Sequence, residues 1–122
     1  MEATRISEAN GRLQAFDLGQ LPFIAARVFL VDSVPVGSER GGHGHRTGHQ
    51  WLQVTRGRVA IRVLGPDGET RSELHAGGPG FHLRPNVIAW QRYLEPGTQL
   101  LVFASNPYDP EDYLSEAPEA QM

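Results

Sequence analysis

The chain has 122 residues, 39% hydrophobic and 20% charged, with a formal net charge of -3 and no cysteine; this describes one globular domain without disulfides, thiolate nucleophiles or cysteine-ligated metal. A pI near 5.9 excludes a general attraction to nucleic acid or anionic membranes. All 11 basic residues are arginine, so lysine Schiff-base chemistry and a Walker-type lysine are excluded, whereas forked recognition of anions is not.

The start, MEATRISEANG, is polar and lacks the apolar centre of a signal peptide, and no apolar run approaches the roughly 20 residues that span a bilayer. A cytoplasmic protein is expected. Residues 1–20 read as an N-terminal arm with one short strand near Leu13 to Leu18, of the kind small β proteins exchange with a partner. From Leu21 the pattern turns to short apolar runs broken by glycine and proline: Phe23 to Asp32, Gln50 to Arg56, Arg58 to Leu64, Glu69 to His75, Gly80 to Arg84, Ile88 to Leu94 and Thr98 to Ser105. In Arg58 to Leu64 the apolar Val59, Ile61 and Val63 alternate with Arg58, Ala60 and Arg62, the pattern of a strand with one wet face. Turn chemistry sits between the runs, as in Gly65-Pro66-Asp67-Gly68 and Glu95-Pro96-Gly97. Residues 106–114 read as a turn followed by one helical turn, and 115–122 as a flexible tail. Short, regularly spaced strands over 21–114 predict an all-β sandwich or barrel.

Three of the five histidines lie in Arg40-Gly41-Gly42-His43-Gly44-His45-Arg46-Thr47-Gly48-His49. On a strand, His43 and His45 point the same way about 7 Å apart, so one cavity can use both. Imidazoles exchange protons or bind metal near neutral pH. Gly37, five residues, His43-x-His45, four residues, Gln50, six residues and Gly57 match the first cupin signature, with glutamine where glutamate is usual. A cupin-type double-stranded β-helix, or jelly-roll barrel, is therefore expected. The fourth ligand position of metal-binding cupins falls on Ala89. A metal would need neutral His43, His45, Gln50 and a repositioned His82, a set that balances a divalent charge poorly, and no metal is expected.

The sequence further resembles the sugar 3,4-ketoisomerase family, the WxcM-like or FdtA-type cupins that act on dTDP-4-keto-6-deoxyglucose. Matching stretches are Leu21-Pro22-Phe23 with Arg27-Val28-Phe29, Arg40-Gly41-x-His43-x-His45-Arg46 with Gln50 (the family reads RGxHAHK and Q), Gly80 to Pro85, Leu101 to Ser105, and Tyr108-Asp109-x-x-Asp112-Tyr113. The resemblance implies a cofactor-independent isomerase, homodimeric, with a nucleotide sugar as its small-molecule partner. It implies His45 as principal base, His43 as its proton-transfer partner and Arg40 as the residue that orients the substrate or steadies enediolate charge. Arg84 and Arg92 are candidates for the diphosphate; Gln50, His82, Trp51 and Tyr93 are candidates for lining the sugar or base site. Two departures stand out. Ile88-Ala89 replaces the family's Trp-His pair, with Trp90 shifted by one and so expected off the pocket face. Phe29-Leu30-Val31 lacks the hydroxyl associated with the strand before RGxH. A metal-dependent cupin oxygenase and a non-catalytic sugar- or ligand-binding cupin stay open as alternatives.

Overall fold

The computed structural model describes residues 1–115; of the tail assigned to 115–122, everything after residue 115 lies outside the described residues. Strands dominate, in the order β1 (Thr4–Glu8), β2 (Gly11–Ala15), β3 (Arg27–Val31), β4 (Glu39–His45), β5 (Gln50–Arg56), β6 (Arg58–Gly65), β7 (Gly68–His75), β8 (Phe81–Leu83), β9 (Ile88–Tyr93), β10 (Gln99–Ala104) and β11 (Tyr113–Leu114). They form a four-stranded sheet, β3-β10-β5-β8, and a five-stranded sheet, β11-β4-β9-β6-β7, with β1 and β2 as a separate hairpin. Among the described residues every pairing is antiparallel. This is the all-β architecture the turn spacing predicts, of the cupin-like kind the histidine signature implies.

Alternation carries the core. Leu52 and Val54 of β5, Val59 and Ile61 of β6, Leu83 of β8, Ala89 and Tyr93 of β9, and Leu100 and Val102 of β10 pack into one buried cluster between the sheets. Their period of two comes directly from the sequence. The wet face of β6 and its neighbours is laced with charge: Arg62 pairs with Glu39 and Glu69, and its guanidinium lies 3.9 Å from the Trp90 ring centroid. Trp90 is thus on the outside of the barrel, as the one-residue shift requires.

The N-terminal segment differs from its sequence reading. Two strands form where one was expected, and Leu18–Gln20 is a 3-10 turn. The hairpin lies on the outer face of the four-stranded sheet: Gln14 Nε2 donates to the Thr55 carbonyl at 3.1 Å, and Phe16 sits 5.9 Å from Phe103. That cover explains why Phe103, on an outward position, is buried. At the other end, Pro110–Asp112 forms the expected helical turn, and Tyr113–Leu114 then pairs with β4.

Candidate active site

One irregularity in β4 decides what faces the interior. Gly41 pairs with Trp90 and His43 with Ala89, so Gly42 is an extra residue, a β-bulge, with φ of 82°. Glycine tolerates this left-handed backbone, which side chains rarely adopt. The bulge puts an even and an odd position on one face: Arg40 and His43 both line a cavity of about 170 Å³ between the sheets. Gln50, Tyr93, Arg27, Phe29 and Tyr113 line it too.

His45, two residues beyond His43, is 8% exposed and lines a much smaller space of about 10 Å³ with His49 and Asp112. Arg27, Gln50 and Tyr113 border both spaces. Three rings meet there. Tyr113 stacks on His43 at 5.3 Å and meets His45 edge-on at 4.9 Å, while the two imidazoles stand T-shaped at 6.1 Å. Burial, and after it the neighbouring His43, lower the His45 pKa from 6.5, with Asp112 opposing. Its imidazole is therefore neutral and ready to accept a proton at neutral pH.

Asp112 holds the turn that follows His45. Its carboxylate accepts from Thr47 N at 2.9 Å, Thr47 Oγ1 at 2.8 Å and Gly48 N at 3.0 Å, and its carbonyl accepts from Arg46 N at 2.7 Å. Burial works against the charged form, but the bonds from Thr47 and Gly48 prevail and lower its pKa. On the far wall, burial pushes the Tyr93 phenol up to about 12, with Arg40 pulling the other way. Tyr93 keeps its proton throughout the physiological range.

Of the residues singled out from sequence, Arg40, His43, Gln50 and Tyr93 come together in the cavity, with His45 just behind it. The other four lie elsewhere. Trp51 and His82 pair across β5 and β8, next to Gln50 and Leu83, which point inward, so alternation turns Trp51 and His82 outward. There His82 Nε2 lies 2.9 Å from His49 Nδ1, and Phe23 lies 5.9 Å from the His82 ring. His82 therefore cannot join His43 and His45 around a metal, and among the described residues no three His, Asp or Glu side chains converge on such a site. Arg84 is exposed in a turn. Arg92 points outward, donating to the Gly37 carbonyl at 2.6 Å and to Glu39 at 3.2 Å. Sequence reasoning passed over Arg27, Asp112 and Tyr113 as site residues. The quoted stretches Arg27-Val28-Phe29 and Asp112-Tyr113 were the available signal.

The chain matches, over residues 1–120, the family model described as FdtA, WxcM-like, C-terminal. Among solved structures it is similar to the 3,4-ketoisomerase QdtA from Thermoanaerobacterium thermosaccharolyticum. A mutant of QdtA in complex with TDP-4-keto-6-deoxyglucose is 31% identical with a TM-score of 0.82, the match covering 94% of this chain and 84% of that one. QdtA in complex with TDP is 32% identical with a TM-score of 0.82, covering 94% and 85%. The TDP-quinovose 3,4-ketoisomerase WlaRB from Campylobacter jejuni, 24% identical with a TM-score of 0.80 and coverage of 94% and 89%, shares the fold. Comparison with curated protein sequences gave no match.

Proposed function

The chain belongs to the FdtA, or WxcM-like, family, and from that membership we propose that it is an isomerase that moves a ketone between C4 and C3 of a nucleotide-linked 4-keto-6-deoxy sugar. The observation that carries the proposal is the convergence of His43, Tyr113, Arg27 and Arg40 on one cavity, with His45 directly behind. QdtA, 31% identical, was solved with TDP-4-keto-6-deoxyglucose bound. At about 170 Å³ the cavity is smaller than the roughly 300–1,000 Å³ that encloses a drug-sized ligand. It suits the sugar ring, leaving diphosphate and nucleoside outside.

The reaction needs no external oxidant or reductant. A base removes the C3 proton, the C3–H electron pair becomes the C3=C4 double bond, and the C4 carbonyl pair moves onto oxygen as an enediolate. Protonation of that oxygen gives the enediol; loss of the O3 proton then forms the C3 ketone while C4 gains a proton. His43 and His45 serve as the proton-transfer pair. His43, exposed and lining the cavity, is the member that meets the sugar. His45, buried and deprotonated at neutral pH, exchanges protons behind it. This reverses the order expected from the resemblance, because burial separates His45 from the open space. Gln50 and Tyr93 bind hydroxyls of the sugar, and Arg40 orients the nucleotide.

A homodimer completes the proposal. Val28 (55% exposed) and Leu30 (51%) lie on β3, an edge strand, and Leu13 (53%) is on the hairpin; together they give an apolar surface for a second copy. Sedimentation at micromolar concentration tests this: a monomer would refute it.

The decisive experiment follows the sugar protons by NMR in deuterated water, with TDP-4-keto-6-deoxyglucose as substrate. Enzyme-dependent loss of the C3 proton signal with appearance of a 3-keto product, absent in His43→Asn, is the expected result. No exchange and no product with the metal-analysed protein would refute it.

A further inference from the structure

Arg27 is the first residue of β3, and its side chain borders both the larger cavity that holds His43 and the small space that holds His45. Its guanidinium carbon lies 5.1 Å from the Phe29 ring centroid and 5.9 Å from that of Tyr108. Aromatic faces hold the cation in place but accept no conventional hydrogen bond from it. The Arg27 Nε is buried without a hydrogen-bond partner, and Arg27 makes no ion pair among the described residues. A buried donor left unpaired is costly, and such groups call for an explanation.

The other arginine of the cavity differs in each respect. Arg40 is exposed and acts on Tyr93. Arg27 is half-buried and acts on His45. The two cations therefore serve different ends of one cavity. The end at Arg27 is where the histidines work, and there the enediolate develops negative charge on oxygen. A preorganised donor in a water-poor site acts most strongly on charge that appears only in the transition state.

We propose that Arg27 is a catalytic residue of the isomerisation, its unpaired guanidinium donors holding the sugar's C4 oxygen as it becomes an enediolate, while Arg40 serves the nucleotide. The inference rests on the isomerase reading above. It assigns the charge-stabilising role to the first residue of a strand that contains no histidine, and it leaves the nucleotide to Arg40.

The test compares wild type with Arg27→Gln and Arg27→Lys in turnover of TDP-4-keto-6-deoxyglucose, with calorimetric titration of TDP as a measure of folding and nucleotide binding. The expected result for Arg27→Gln is a kcat lower by about 10²-fold or more, with TDP affinity held within about twofold. Arg27→Lys, keeping the charge without the fork, should recover part of kcat. Loss of TDP affinity by tenfold or more with kcat unchanged would make Arg27 a diphosphate residue and overturn the inference. Unchanged kcat and affinity would overturn it as well. An inactive wild type would overturn both this inference and the isomerase reading, whereas an active wild type with an unimpaired Arg27→Gln overturns this one alone.

Discussion

The phenol ring of Tyr113 lies flat on the imidazole of His43, planes 3° apart and centroids 5.3 Å apart. The strand that delivers it, β11, pairs Tyr113 with His45, so one tyrosine orients both imidazoles. Phe29 lines the same cavity without a hydroxyl, and Tyr93 holds its proton firmly. Tyr113→Phe keeps the stack and removes only the hydroxyl. We expect kcat to fall by about tenfold or more with little change in melting temperature. Equal kcat in the two proteins would assign the ring a purely orienting role.

The protonation of His45 should appear in the pH profile. Its pKa is lowered from 6.5 by burial first and by His43 second, so the base form survives below pH 6.5 and the acid limb of kcat/KM should fall on that side. Asp112 opposes the shift; Asp112→Asn removes the opposition and should move the limb to still lower pH. A limb that moves upward in the variant would contradict the assignment.

Asp112 also links stability to acid. Its folded-state pKa lies below 3.8, so its contribution is complete above that value and is lost as pH falls through the folded pKa. Three hydrogen bonds converge on the carboxylate. Asp112→Ala should therefore cost roughly 2–4 kcal/mol at pH 7. Urea titrations should show the gap between wild type and variant narrowing as pH drops below 3.8. A gap independent of pH would mean that the charged carboxylate is not what holds the turn.

Gly44 separates the two histidines, at the position where the family's RGxHAHK pattern has alanine. Here a Cβ at Gly44 would run into the carbonyl oxygen of Val87, because the 84–87 turn lies close against β4. Gly44→Ala must displace that backbone. A loss of about 2 kcal/mol or more, in the upper range for single substitutions, is expected from thermal denaturation. An unchanged melting temperature would show that the turn yields freely.

Much of the barrel was legible because its signal is local. Val59, Ile61 and Val63 announce β6 by alternation, and glycine and proline mark its ends. His43, His45 and Gln50 were legible through spacing alone. Trp51 and His82 were misjudged as lining candidates for one reason: being near a cavity in sequence does not say which face of a strand a side chain takes, and that parity is fixed by pairing with distant partners such as Leu83 with Gln50. Arg27 and Asp112 escaped notice because they reach His45 from β3 and from the last turn. The N-terminal hairpin was half seen, since Thr4–Glu8 carries little apolar pattern of its own.

The extra glycine in β4 has a consequence for charge. Were β4 paired regularly up from His43, without the bulge between Gly41 and His43, alternation would turn Glu39 and Gly41 inward and Arg40 outward. The cavity would then offer a carboxylate where it now offers a guanidinium, with Arg27 left as its one arginine. A single residue without a side chain thus decides whether Arg27 shares the cavity with a second cation or with an anion, and any replacement of Gly42 that restores even pairing would make that exchange without altering one charged residue.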